Sequence, residues 1–423
     1  MQRIIIKNFG PIEDVDLNIN DIMVFIGPQA SGKSTISKAV YFFKSLKYDL
    51  MQYVFELIEK KNFEDPIGNF ERVADTRFVA MGWPTHHLSD TYLKYEYKED
   101  VDIEITIKEG DCVYHFSEVF RQIYSEIMDR VKSYASKKQA KDPKFLSSSE
   151  LRAIGFEEGI FISEIEELAN ELFSDNRDVV FFPAGRSFLS ILSDQRQNID
   201  FRALDHTMAQ FIKRINVSKI IFSFSQTGFA RKQTEDTQAV QEIILKILKA
   251  SYRFEDDEDR LYFSKTGYTR LTYASSGQQE AIWILLFVRQ IMQENRDFFL
   301  VFEEPEAHLY PETQKDIIDL ICLFSNLRSN QIIITTHSPY ILSSFNNLLY
   351  AYNVDKKGVP DVNAIVSKHL WINPERLDAY FVDKGGIRSI IDEEYKLIKT
   401  EEIDSASDVI NEVYRKLFDI DPE

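Results

Sequence analysis

The stretch Ile22-Met23-Val24-Phe25-Ile26-Gly27-Pro28-Gln29-Ala30-Ser31-Gly32-Lys33-Ser34 decides how the rest of the chain is read. The unbroken apolar run from Ile22 to Ile26 suits a strand buried on both faces. Helical spacing of Ile36, Val40, Phe43 and Leu46 follows it. Between the two, Gly27–Ser34 fits G-x-x-x-x-G-K-[ST] in the strand–loop–helix setting that gives the pattern its meaning. Gly27 and Gly32 let the backbone close around an anion, while Ser31 and the first N–H groups of the helix, to Thr35, point at phosphate oxygens. Lys33 would neutralise those oxygens and Ser34 would offer its hydroxyl to Mg²⁺. The competing reading is a Gly-rich turn that merely joins strand to helix.

The last third of the chain alternates in the same way, with helices expected at 276–294, 312–326 and 339–345 and apolar runs at 298–302 and 332–334. Such alternation predicts a parallel α/β sheet, whose ligands gather at the C-terminal ends of the strands. Phe298 to Phe302 delivers Glu303 and Glu304 to that edge. One carboxylate can serve the Mg²⁺ shell and the next can orient a water; we expect Glu303 in the first role and Glu304 in the second. Ile332-Ile333-Ile334-Thr335-Thr336 brings His337 to the same edge, with Ser338 capping the next helix and Pro339 at its first position. A lone His at a strand end is usually structural. Beside two carboxylates, its imidazole can bond a γ-phosphate or the attacking water. Ser275-Ser276-Gly277-Gln278-Gln279 opens the helix from 276, either as an anion site or as a plain cap with Ser276 paired to Gln279.

Working outward, the first 26 residues read as strands, including Ile4–Ile6 and Val15–Leu17–Ile19. Residues 91–116 alternate apolar and polar around a turn at Glu109-Gly110-Asp111, which predicts an antiparallel meander. Residues 117–175 look helical, with a polar interruption. Within them Arg130, Lys132, Lys137, Lys138, Lys141 and Lys144 form a basic run that is either a solvated helix end or a contact for nucleic acid or an acidic partner. Across all 423 residues, 50 basic against 68 acidic side chains leave a net charge of −18, which excludes a uniformly nucleic-acid-attracting surface. Apolar residues make up 44% and charged ones 28%, as in a globular chain with a large core. Cys112 and Cys322 cannot supply a disulfide framework or a Cys-rich zinc site. Neither a signal peptide nor a membrane span is expected, so the expected location is cytoplasmic.

In order, the phosphate loop, SSGQQ at 275–279, VFEEPEAHLYP at 301–311 and TTHSP at 335–339 resemble an ABC-type ATPase head. The wording is similar to the OLD (overcoming-lysogenization-defect) group and, more distantly, to SMC-type heads; anti-phage systems of the PARIS, Septu and retron kinds carry similar ATPases. FFPAGRS at 181–187 is similar to a segment these ATPases carry before the signature helix. The resemblance implies an α/β P-loop NTPase of ABC type, with a mixed or parallel sheet core, an antiparallel β lobe and a helical insertion. It divides the chain into 1–116 (β lobe and phosphate loop), 117–177 (helical insertion) and 178–423 (signature, Walker B, switch His and a C-terminal helical segment).

ATP and Mg²⁺ are the implied ligands, with Ser275, Ser276, Gly277 and Gln278 reaching the γ-phosphate held by a second copy in a head-to-tail homodimer. Glu306, Ala307 and His308 would then cross the dimer interface. Ala274 stands where a leucine is usual and Glu303 where an aspartate is commoner. The implied role is an ATP-driven switch controlling an effector, a nuclease or other toxin from a neighbouring gene, with a nucleic acid or phage protein as trigger and no membrane partner. OLD nucleases carry a Toprim domain after the ATPase; no acidic metal cluster follows His337 here, and Asp419-Ile420-Asp421 reads as a tail. An SMC-like DNA-repair or clamp ATPase and a transporter's nucleotide-binding subunit are the alternatives.

Overall fold

A computed structural model describes residues 1–83, 88, 90–137, 148–193, 204–226, 235–292, 294–399, 411–412 and 415–418. The chain runs through β1 (Arg3–Phe9), β2 (Ile12–Asn18) and β3 (Ile22–Ile26) into α1 (Lys33–Lys60) and α2 (Pro66–Ala80). β4 (Thr91–Lys98), β5 (Val101–Lys108) and β6 (Asp111–Phe116) precede α3 (Glu118–Lys137) and α4 (Ser148–Leu172). Next come β7 (Asp178–Phe182), α5 (Phe188–Ser193), α6 (His206–Gln226), α7 (Glu235–Leu248), β8 (Ser251–Glu255), β9 (Glu258–Tyr262) and β10 (Tyr268–Arg270). α8 (Ser276–Ile291), β11 (Phe298–Glu303), α9 (Pro311–Leu327), β12 (Gln331–Thr336), α10 (Pro339–Lys356), α11 (Val362–Ile365), β13 (Leu377–Asp383) and β14 (Gly386–Ser389) complete the order.

The first compact unit comprises Met1–Ile19, Lys38–Val179 and Lys384–Gly386. Its five-stranded sheet runs β2-β1-β4-β5-β6, with antiparallel pairing between each of these neighbours. Alternation does the work: Leu93, Tyr95 and Tyr97 on one strand, and Val101, Ile103, Ile105 and Ile107 on the next, are buried while their neighbours are not. The expected turn is present, with Glu109 at φ 52° and Gly110 at φ 93° joining Lys108 to Asp111, the two positive φ values that a tight hairpin asks for. Within the 117–175 stretch, Glu118–Lys137 forms α3 and Ser148–Leu172 forms α4 in this unit. Arg130 bonds Glu126 one turn away at 2.8 Å and, with Lys132, sits on the exposed face of α3. Lys138, Lys141 and Lys144 lie outside the described residues, as does Asp419-Ile420-Asp421. A buried polar network joins Lys44 Nζ to Gln2 Oε1 at 2.6 Å and to Asp175, with Tyr95 also donating to Gln2 Oε1 at 2.8 Å.

The second unit comprises Asn20–Ser37, Val180–Asp383 and Ile387–Glu423. Its six-stranded sheet has the order β14-β13-β3-β12-β11-β7, and β13, β3, β12 and β11 pair in parallel. Phe298, Phe299, Leu300, Val301 and Phe302 are each at most 1% exposed. At roughly 2 kcal/mol for each such side chain, the strand has ample burial energy to hold charged residues at its end. A smaller antiparallel sheet, β10-β9-β8, belongs to the same unit.

One expectation is corrected. The helix from 339 does not stop at 345 but runs to Lys356, because Leu348, Leu349 and Ala351 are buried beneath its polar text. Of the C-terminal segment, residues 411–412 and 415–418 are described and are helical. Residues 377–389 form β13 and β14, and Leu377–Phe381 pairs in parallel with Ile22–Ile26, a partner too distant in sequence for local pattern to reveal. No described helix is long and apolar enough to cross a membrane.

Candidate functional site

Because β3, β11 and β12 are parallel neighbours in one sheet, the segments after each leave its C-terminal edge together. Residues 27–32 follow β3. A Cβ on Gly27 would lie 2.1 Å from the Val382 carbonyl oxygen, so only glycine fits where the loop leaves the sheet. Ala30 and Gly32 adopt φ of 58° and 106°, which turns the loop back toward the α1 N-terminus. Lys33 is 4% exposed, and its Nζ donates to the carbonyls of Gly27 at 2.9 Å and Pro28 at 2.7 Å. Burial lowers its pKa from the ordinary lysine value, while the charges of Glu304 and Glu306 oppose that shift. Ser31 lies 3.5 Å from Lys33 Nζ; Ser34 is exposed and Thr35 half-buried at the start of α1.

Glu303 ends β11 with its carboxylate buried, and Oε2 accepts from the Ala184 N–H at 3.3 Å, on the side away from β12. Glu304 turns out of the sheet at φ 44°, its N–H still donating to Thr335 O at 2.9 Å. Its Oε1 lies 3.3 Å from His337 Nε2, both side chains partly exposed. The two site residues named for catalysis from sequence therefore meet.

The Glu306 side chain is turned inward and is 7% exposed. Oε1 accepts from Thr336 Oγ1 at 2.5 Å and from the His337 N–H at 3.1 Å, while Oε2 is buried with no hydrogen bond. Burial raises the pKa of this carboxyl. His308, by contrast, is exposed.

At the start of α8 the capping box is shifted by one residue from the expected pair. Ser275, not Ser276, is the N-cap; its Oγ accepts from Gln278 N at 3.4 Å, and Gln278 Oε1 accepts from Ser275 N at 3.1 Å. Gln279 instead reaches back to Leu271 O and Thr272 O. Ser275 and Ser276 are exposed, and a Cβ on Gly277 would come within 2.8 Å of His308 O. Ser338 caps α10 as expected and donates to Gln314 Oε1 at 2.6 Å.

Sequence reasoning gave no role to Arg186, which is wholly buried. Nη1 donates to Pro183 O at 2.8 Å and Glu303 O at 2.7 Å, Nη2 to Glu304 O at 2.9 Å, and Nε to Glu280 O at 3.2 Å. The Glu280 carboxylate accepts the N–H groups of Arg186 at 3.0 Å and Ser187 at 2.9 Å. A signal did exist, since Glu280 interrupts an otherwise apolar helix text and so required a partner.

The AAA ATPase domain family matches residues 1–342. The OLD nuclease of Thermus scotoductus is 22% identical over 353 residues, 80% of this chain and 59% of that protein. The lipoprotein-releasing system ATP-binding protein LolD of Neorickettsia sennetsu is 26% identical over 93 residues, 22% of this chain and 39% of that protein. The chain thus spans less than two thirds of the length of either curated relative. Among solved structures, the Smc head domain with a coiled coil and joint from Pyrococcus yayanosii aligns at TM-score 0.42 and 11% identity, covering 96% of this chain and 100% of that one.

Proposed function

This chain belongs to the AAA ATPase domain family, and we propose that it is an ATP-binding, ATP-hydrolysing switch that closes as a homodimer and controls an effector. The observation that carries the reading is the Glu304–His337 contact of 3.3 Å on the same sheet edge as the Lys33 loop. Lys33, now folded onto its own loop carbonyls, would exchange those bonds for phosphate oxygens. Glu304 would orient the attacking water, and the neighbouring His337 would hold Glu304 and the γ-phosphate in line. Ser275, with the N–H groups of Ser276, Gly277 and Gln278, would receive the γ-phosphate bound by the partner subunit.

The donors available also suit Mg²⁺, a hard cation that prefers oxygen ligands and shares its shell with substrate phosphates. The exposed Ser34 hydroxyl and the Glu303 carboxylate would hold it, Glu303 giving up its bond from Ala184 N; the orphaned Glu306 Oε2 adds an acceptor near Lys33. Bound there, the ion would neutralise charge developing on the transferred phosphoryl group.

The relative's name, OLD nuclease, makes a nuclease the favoured class of effector; for the setting we infer anti-phage defence from the resemblance of the motifs alone. A trigger acting through the basic end of α3 would be a nucleic acid or an acidic phage protein.

Two variants test the switch. Lys33→Ala should abolish ATP binding, and unchanged affinity would remove the phosphate-loop assignment. Glu304→Gln should bind ATP normally but hydrolyse it about 10²- to 10⁴-fold more slowly. Wild-type turnover in that variant would mean that another carboxylate orients the water.

A further inference from the structure

We propose that Arg186 is a positioning residue whose guanidinium ties the first turn of α8 to the backbone of Glu304, so that movement of the signature serines is relayed to the hydrolytic carboxylate. The inference rests on the function proposed above. Glu280 lies one helical turn beyond Ser276, and its carboxylate and backbone carbonyl both face Arg186. The other side of the guanidinium grips the carbonyls of Glu303 and Glu304. Glu304 O also accepts from Ala307 N at 3.0 Å, and Glu304 N donates to Thr335 O at 2.9 Å. Its peptide groups are therefore held on both sides while φ stays at 44°, a left-handed conformation that is unfavourable for a residue with a Cβ. That turn aims the side chain at His337.

Stability alone gives little reason for this arrangement. A buried ion pair is often no better for folding than apolar residues of the same volume, and the Arg186 and Glu280 side chains are 0% and 1% exposed. Geometry is what the pair adds. A planar fork can span the carbonyls of Pro183, Glu303, Glu304 and Glu280 at once, whereas an ammonium cannot. A contact that shifts the α8 N-terminus therefore shifts Glu280, and with it the Glu304 peptide.

The test uses the full chain with Arg186→Lys and, because a buried arginine can be needed for folding, the near-isosteric Glu280→Gln. ATP affinity, kcat and KM are measured together with amide hydrogen exchange over residues 300–309. Both variants should retain ATP affinity and KM while kcat falls, by about 100-fold for Arg186→Lys, as expected for misplacement of a reacting group. Exchange over 300–309 should quicken while that over 22–35 stays unchanged. Wild-type kcat and exchange in both variants would overturn the proposal, as would parallel losses of affinity and turnover. If the wild-type chain does not hydrolyse ATP, the function proposed above fails, and exchange in Glu280→Gln still decides the link: quickened supports it, unchanged overturns it.

Discussion

At the scale of single residues, the phosphate loop was legible because its pattern encodes backbone requirements as well as side chains. Gly27 shows this most directly, since the 2.1 Å approach to Val382 O forbids any Cβ. Gly27→Ala should cost about 1–3 kcal/mol, the usual range for an overpacked site, with loss of ATP binding; a denaturation midpoint equal to wild type would show that the loop has room to move. Glu304 and His337 were legible too, because each ends an apolar run on the same sheet edge. The Ser275 cap was misplaced by one residue because two adjacent serines and two adjacent glutamines offer two registers for one capping box. Only the backbone decides between them. The inward turn of Glu306 was not legible either, because a motif gives the position of a carboxylate but not which way it turns.

At the scale of elements, runs with a strict period were read correctly and those stabilised from afar were not. β4 and β5 announce themselves by alternation, and α10 was cut short because its buried Leu348 and Leu349 sit among polar residues. β13 had no local signature, since its stabilising partner is β3. Between α1 and the segment before β7, the Lys44–Asp175 pair shows what the elements cost to hold together. Burial raises the Asp175 pKa, but Lys44 and Arg177 overcome it and hold the carboxyl below the usual carboxylate range. Its contribution is therefore present above the unfolded-state value and is lost as pH falls through the folded value. Asp175→Asn should destabilise the chain at neutral pH by about 3–5 kcal/mol, because Lys44 would remain buried without its counter-charge. It should also flatten the acid limb of the stability curve, measured by denaturant titration from pH 7 down to pH 3. An unchanged acid limb would assign that loss to other carboxylates.

At the scale of the whole molecule, the proposed dimer makes its own demand. Ser275 is exposed at the α8 N-terminus, where an arginine side chain would occupy the space proposed for a partner's phosphate. Ser275→Arg in the Glu304→Gln background should bind ATP yet sediment as a monomer, whereas an ATP-dependent dimer would refute the sandwich. Motif order sufficed to anticipate the α/β architecture. It could not anticipate that the second unit is assembled from three separated stretches of chain. That interleaving has a consequence during synthesis. β3 is made within the first 26 residues, but its sheet neighbours β12 and β13 begin only at Gln331 and Leu377. At ~5–20 residues per second, the apolar Ile22–Ile26 segment must wait about 20–70 s for both neighbours to be translated. The nascent chain therefore carries an unpaired, aggregation-prone strand until β13 has been translated, and its yield in the cell should depend on whatever shields that strand in the interval.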